Sequence, residues 1–166
     1  MRQDAQQAQP VLLVASILAA LLGSILPLPV WLAPARPDWL ALLVIYWVLR
    51  TTSGFGIVSA WLIGLLMDVL SGGLLGRHAL ALAVVAYAAS LLRQRLGHYT
   101  LAQQSVVVLL LCVADQILVG WVQSLAGHPT QSLEFLMGSL TAAFCWLLIA
   151  PAFGRDRSLD SWRLAP

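Results

Sequence analysis

Two acidic residues lie inside apolar runs of this sequence, and they are the first candidates for chemistry. Asp68 stands in "GLLMDVLSGGLLGRH" and Asp115 in "LLLCVADQILVGW". Insertion scales put a carboxylate at the centre of a membrane helix at about +2.5 to +3.5 kcal/mol, so such a residue normally faces other helices and finds partners. Three roles are open: locking helices together, lining a cavity for a substrate or partner, or relaying protons or ions.

Polar residues close to the two acids are possible partners for them. Arg77 and His78 follow Asp68 after a glycine turn, and Arg77 is the expected counter-charge. Gln116 is a polar neighbour of Asp115. No ionisable residue continues a path from Asp68 to the inner face, so the sequence favours the structural role over a relay.

Small residues recur at every fourth position around Asp68. We call this set the small-residue stripe, and its members are Gly56, Ala60, Gly64, Asp68, Gly72 and Gly76. Residues four apart lie on one face of a helix, and small residues on that face let two membrane helices pack closely. The stripe is predicted to be a seam for helix packing or partner binding, with Asp68 turned away from lipid.

Motifs for catalysis, metal binding and phosphate binding are missing from the sequence. Neither HExxH nor GxSxG occurs. The stretch "SGGLLGRH" lacks the Lys-Ser/Thr ending of a phosphate-binding loop. Cys112 and Cys145 have no metal-ligand spacing and are expected to be packing residues. The sequence therefore predicts no catalytic residue, no metal site and no cofactor.

Composition places these residues in an integral membrane protein. Of 166 residues, 60% are hydrophobic and 10% are charged, and the mean hydropathy is +0.87. A soluble domain of this size needs more charge to cover its surface. The formal net charge is only +2, and no basic stripe interleaves with aromatic residues, so no binding of nucleic acid is expected.

Apolar runs cut at proline, glycine and charge clusters predict an all-α bundle of about six transmembrane helices. The predicted helices cover residues 10–27, 38–50, 55–72, 77–93, 100–125 and 132–151. They form a single polytopic membrane domain over residues 1–154, followed by a short cytoplasmic tail at 155–166. The second helix would rise only about 20 Å against a hydrocarbon core of about 30 Å, so whether it fully spans is open.

The positions of the arginines predict the orientation. With a cytoplasmic N-terminus and six crossings, Arg36 and Arg77 fall outside, and seven of the nine basic residues, all arginines, fall inside. Both termini are therefore predicted to be cytoplasmic. Arg93 and Arg95 form a cytoplasmic basic cluster, which is expected to contact anionic membrane lipids or, alternatively, to dock a partner.

Residues 61–96, "WLIGLLMDVLSGGLLGRHALALAVVAYAASLLRQRL", resemble the MreD family of rod shape-determining proteins in the bacterial elongation machinery. The stretches "PDWLALLVIYWVL" and "LAQQSVVVLLLCVADQILVGW" extend the likeness over nearly the whole chain. The G-x-x-x-D-x-x-x-G-x-x-x-G-x-H-A pattern is its most specific part.

The resemblance implies a non-enzymatic scaffold of the bacterial inner membrane that helps regulate peptidoglycan synthesis and cell shape. It implies direct binding to the membrane helix of MreC. Through the complex it implies contact with RodA and a class B penicillin-binding protein, and indirectly with MreB. The family's fold looks like the S component of vitamin (ECF-type) transporters. That likeness leaves an alternative open, a small-molecule or lipid-binding transport component with a cavity near Asp68 or Asp115.

Overall fold

The computed structural model describes residues 2–26, 36–50, 55–96, 99–127 and 135–153, with side chains described at 11–26, 36–50, 55–96, 99–127 and 137–150. This part is all-helical, as the sequence predicted. Its six helices are α1 (Arg2–Ile25), α2 (Trp39–Arg50), α3 (Ile57–Ser71), α4 (Arg77–Leu96), α5 (Leu101–Leu125) and α6 (Phe135–Phe153).

Two of these helices, α4 and α5, are long and apolar enough to cross a membrane. The other apolar helical stretches in the described residues are shorter, and they are Val11–Ile25, Trp39–Arg50, Ile57–Ser71 and Met137–Ala150. The helical core of the chain is therefore membrane-like in character.

Two helices extend beyond their predicted bounds by about a turn or more, while the predicted start of the sixth helix, at 132, lies outside the described residues. Helix α1 begins at Arg2 and not at residue 10, because "RQDAQQAQ" is rich in alanine and glutamine, which favour helix. Helix α4 continues to Leu96 and not to 93, through the helix-favouring "QRL". The predicted tail at 155–166 lies outside the described residues.

Helix α2 is short, and it lies inside the bundle. Its 12 residues rise about 18 Å at 1.5 Å per residue. Most of its surface is buried, whereas Trp39, Leu43 and Tyr46 are half-buried along one side. The buried residues are Leu40, Ala41, Leu42, Val44, Ile45, Trp47 and Val48. Helices α1, α4, α5 and α6 pack around α2, which explains why a short segment is so uniformly apolar.

Helices α3 and α4 form a hairpin with the most extensive helix contact in the described part. The connecting turn uses Gly72 (φ +61°) and Gly76 (φ +98°), in backbone conformations that residues with a Cβ rarely adopt. Within the contact, a Cβ on Gly64 would lie 2.5 Å from both the Ala79 Cα and the His78 carbonyl oxygen. Glycine at position 64 therefore sets how closely the two helices approach.

Replacing Gly64 with alanine should force α3 and α4 apart, because the added methyl group meets backbone atoms. Overpacking of this kind costs about 1–3 kcal/mol. We expect a lower apparent melting temperature for Gly64→Ala than for wild type, measured on the full-length protein in detergent. Gly56→Ala is the matched control, because no atom lies within 4 Å of the Cβ it adds. Equal melting temperatures for the two variants would contradict this account of the contact.

Candidate functional site

The carboxylate of Asp68 is fully buried and binds the start of the next helix. Its Oδ2 accepts hydrogen bonds from the backbone N–H groups of Gly76, at 2.8 Å, and Ala79, at 3.3 Å. Its Oδ1 accepts from the backbone N–H of His78 at 3.2 Å. Asp68, which lies on α3, therefore caps the N-terminus of α4.

This arrangement satisfies groups that a helix leaves unpaired. The first N–H groups of a helix have no acceptor within it, and they carry a partial positive charge that favours an anion. An N-cap acceptor usually comes from the residue just before the helix, whereas here it comes from the preceding helix. The remaining N–H at this end, that of Arg77, approaches the Leu74 carbonyl oxygen at 3.5 Å.

Arg77 supplies charge to the site but no hydrogen bond to the carboxylate. Its Nε lies 3.7 Å from the Asp68 Oδ1, and its side chain is 18% exposed. That Nε is buried and has no hydrogen-bond partner among the described residues, while Nη2 lies 3.4 Å from the Ser71 hydroxyl. The structure thus places Arg77 as a counter-charge beside Asp68, as the sequence predicted, while backbone N–H groups provide the hydrogen bonds.

Only the middle of the small-residue stripe lies in the helix contact. Ala60, Gly64 and Asp68 are buried on α3. Gly56 and Gly72 are exposed, because they flank α3, and Gly76 belongs to the turn. Helix α4 already covers the buried positions, so a partner helix can reach them only if α3 and α4 separate.

The second acid, Asp115, lies beside a cavity of about 150 Å³. The polar residues around this cavity are Ser24, Arg36, Asp38, His78, Asp115 and Gln116. Asp115 is 2% exposed, and its Oδ1 receives no hydrogen bond from the described residues. We call this space the acidic cavity, because it brings two carboxyl groups together.

Asp38 is the residue that sequence reasoning missed. It caps α2, since its Oδ1 accepts from the Ala41 backbone N–H at 3.1 Å. Its Oδ2 accepts from the Gln116 Nε2 at 3.1 Å, so Gln116 pairs with Asp38, whereas the sequence suggested Asp115. The carboxyl groups of Asp38 and Asp115 also contact each other. The sequence prediction placed Asp38 at the first position of the second helix but gave it no partner and no role.

The acidic cavity gathers groups of both charge signs, because the Arg36 side chain lines it together with the two carboxyl groups. Arg36 lies at the same cavity and donates from Nη2 to the Gly23 carbonyl oxygen at 2.6 Å. The space corresponds to about five water molecules at ~30 Å³ each. Among the described residues, no three His, Cys, Asp or Glu side chains cluster in a way that could hold a metal ion.

The two arginines of the predicted basic cluster, Arg93 and Arg95, differ in their exposure. Arg93 is half-buried and lines a second cavity together with Arg50. Arg95 is exposed and does not line that cavity. The two arginines therefore have different environments, although they are only two residues apart.

Removing the Asp68 carboxylate should destabilise the α3–α4 hairpin. Asp68→Ala leaves three N–H groups without their acceptor, that of Ala79 buried and those of Gly76 and His78 partly buried, and an unpaired buried donor costs about 1–3 kcal/mol. Asp68→Asn keeps one acceptor oxygen and should cost less. We expect apparent melting temperatures in detergent to fall in the order wild type, Asp68→Asn, Asp68→Ala. Ser71→Ala removes the long contact to Arg77 and the hydrogen bond from the Ser71 hydroxyl to the Asp68 backbone carbonyl oxygen, but leaves the carboxylate and its three N–H donors in place. It should therefore melt close to wild type; if it melts as low as Asp68→Ala, the capping interpretation is wrong.

Comparisons with known proteins agree with the resemblance noted in the sequence. A family model described as rod shape-determining protein MreD matches residues 5–151. A curated relative from Haemophilus influenzae, named "Rod shape-determining protein MreD", is 28% identical over 120 residues, which cover 72% of this chain and 74% of the relative. No solved structure matches the chain. Because the family match covers most of the sequence, this chain belongs to the MreD family of rod shape-determining proteins.

Proposed function

We propose that this chain is a non-enzymatic scaffold of the cell-elongation complex that helps regulate peptidoglycan synthesis. The MreD family is a family of bacterial membrane proteins with a role in rod shape determination. The observation that supports the proposal is the structural role of Asp68, whose carboxylate oxygens accept hydrogen bonds from the start of α4 and hold that helix in place. A carboxylate occupied in this way contributes to shape and has no free oxygen for acid–base chemistry.

We further propose six membrane crossings in the bacterial inner membrane, with both termini in the cytoplasm. The two cavities support this arrangement, because each gathers ends of several helices. Around the acidic cavity lie Ser24 near the end of α1, Asp38 before α2, Met67 late in α3 and His78 early in α4. Around the second cavity lie Arg50 and Arg93 at the ends of α2 and α4, Gln104 early in α5, and Ala150 late in α6. Consecutive helices thus run back and forth between two ends.

The proposed direct partner is the membrane helix of MreC, with RodA and a class B penicillin-binding protein joined through the complex and MreB indirectly. Since α4 covers the middle of the small-residue stripe, we place MreC on an outward apolar face. Such faces carry exposed side chains, for example Leu18 on α1, Leu62 on α3 and Leu110 on α5. The likeness to the S component of vitamin (ECF-type) transporters is part of this proposal.

Site-directed crosslinking tests the contact with MreC. In a cysteine-free background, single cysteines at Leu18, Leu62 and Leu110 should crosslink unequally to a cysteine series in the MreC helix, because one face makes the contact. Ala60→Cys is the buried control and should not crosslink, since Ala60 is 0% exposed. A strong crosslink at Ala60 would contradict the outward-face proposal. Absence of both crosslinking and co-purification would contradict MreC binding itself.

The alternative function is a small-molecule or lipid-binding transport component, and the acidic cavity is the observation that favours it. The cavity lies at Asp115, whereas the Asp68 oxygens are occupied by α4. Two carboxyl groups around a space of about 150 Å³ suit a small ligand that carries a cationic donor group.

Ethanolamine is a suitable probe for this alternative, because it is a small primary ammonium ion. A ligand-binding cavity should raise the apparent melting temperature of wild type as ethanolamine is added, and Asp115→Asn should show no such rise. Asp160→Asn, the same charge change elsewhere in the chain, should respond like wild type. An equal response from wild type and Asp115→Asn would remove the support for this alternative.

A further inference from the structure

Asp38 and Asp115 bring two carboxyl groups into contact at the acidic cavity. Asp38 directly precedes α2, and Asp115 lies near the middle of α5. Their carboxyl groups contact each other, and both residues line the cavity. The Gln116 Nε2 donates to the Asp38 Oδ2 at 3.1 Å, which fixes the Asp38 carboxyl group beside α5. We call the two acidic side chains the carboxyl pair.

The Asp115 side chain is almost completely removed from water. The residue is 2% exposed, and its Oδ1 has no hydrogen-bond partner among the described residues. Buried polar atoms without a partner are rare in folded proteins. An ionised carboxylate without partners costs far more free energy in such a place than a neutral carboxyl group does. The Asp115 oxygens therefore need either a counter-charge or a proton.

Asp68 shows what an ionised carboxylate receives elsewhere in the same bundle. Three backbone N–H groups donate to its oxygens, and the Arg77 Nε lies 3.7 Å away. The contact of Asp115 is instead a second carboxyl group. An ionised carboxylate only accepts hydrogen bonds, and two carboxylates sharing one site do not both ionise. The contact between the two groups therefore requires a proton.

The other charged and titratable groups at the carboxyl pair come from three parts of the chain. Arg36, before α2, lines the acidic cavity and donates from Nη2 to the Gly23 carbonyl oxygen at 2.6 Å. His78, early in α4, lines the same cavity. The Cys112 thiol lies about one turn before Asp115 on α5. From α3 it is the uncharged Met67 that lines the cavity.

The charges at the acidic cavity balance when the carboxyl pair carries one proton. Arginine stays protonated in proteins, so Arg36 can offset one carboxylate. Helix α6 contains no charged residue, and neither does the stretch 27–35. His128 and Glu134 stand between α5 and α6 in the sequence, outside the described residues. With one carboxylate offset by Arg36, the second carboxyl group is neutral when it keeps its proton.

We propose that Asp38 and Asp115 share one proton at neutral pH, and that this proton holds the start of α2 against α5. The O–H of one carboxyl group donates to a carboxylate oxygen of the other. Release of the proton to solvent breaks this hydrogen bond and leaves two carboxylates that repel each other. The contact between α2 and α5 is therefore sensitive to pH. This inference goes beyond the proposed function and does not depend on MreC.

Infrared spectroscopy of the full-length protein in detergent tests for the shared proton directly. A protonated carboxyl group has a C=O stretching band that a carboxylate lacks, and the band shifts when deuterium replaces the proton. We expect this band in wild type at about pH 7. Asp115→Asn and Asp38→Asn should each lose it, because the amide N–H can donate to the remaining carboxylate in place of the proton. Asp160→Asn, the same charge change elsewhere in the chain, should keep the band.

Thermal melting between about pH 7 and about pH 9 tests what the proton does. Unfolded aspartates have lost their protons in this range, whereas the folded carboxyl pair keeps one, so stability falls as pH rises. One proton changes the unfolding equilibrium about tenfold per pH unit. We expect the apparent melting temperature to fall more steeply for wild type than for Asp115→Asn. Cys112→Ser, which removes the neighbouring thiol, should follow wild type.

A protonated-carboxyl band in wild type that both pair variants lose, together with the steeper fall of wild type, supports the proposal. Absence of the band in wild type overturns it, and this result needs no variant to fold. A band kept by both pair variants overturns it too. Equal pH dependence of wild type and Asp115→Asn overturns the claim that the proton holds α2 against α5. Co-purification with MreC is measured separately, so failure of the scaffold proposal leaves the infrared result unaffected.

Discussion

The described bundle depends on one interaction, the capping of α4 by the Asp68 carboxylate on α3. Burying a charge removes it from water, and here three backbone N–H groups and the positive end of α4 take the place of that water. Arg77 adds an opposite charge at 3.7 Å. The cap needs α3 and α4 to lie very close together, and Gly64 permits this because it has no side chain. Charge and close packing therefore support each other.

The α3–α4 hairpin also fixes where the polar residues of α4 lie at the two ends of the bundle. Helix α4 is held so that His78 lines the acidic cavity at one end, while Arg93 lines the second cavity at the other. Between these ends, the buried helix α2 packs on α4 and carries Asp38 to one cavity and Arg50 to the other. A rigid bundle with chemically different ends and an apolar exterior suits a protein that organises membrane partners.

Much of the fold was accessible from the sequence, because apolar runs and glycine turns mark the helices directly. The burial of Asp68 also followed, since its neighbours at four-residue spacing are small. The acceptor role of Asp68 did not follow, because it depends on the turn that Gly72 and Gly76 create. The predicted small-residue stripe was longer than the buried contact, because the four-residue spacing of small residues continues beyond the ends of α3. The hydrogen bond between Asp38 and Gln116 could not be predicted from the sequence, because 78 positions separate the two residues.

Amide hydrogen exchange at Gly76, His78 and Ala79 tests the central claim most directly. The measurement is made on the full-length protein alone and in the presence of MreC. If the Asp68 carboxylate permanently caps α4, all three amides exchange slowly in both states, as slowly as amides in the middle of α4. Fast exchange at the three positions in the isolated protein would contradict the cap. Protection that disappears when MreC binds would contradict a hairpin that stays closed while the protein works.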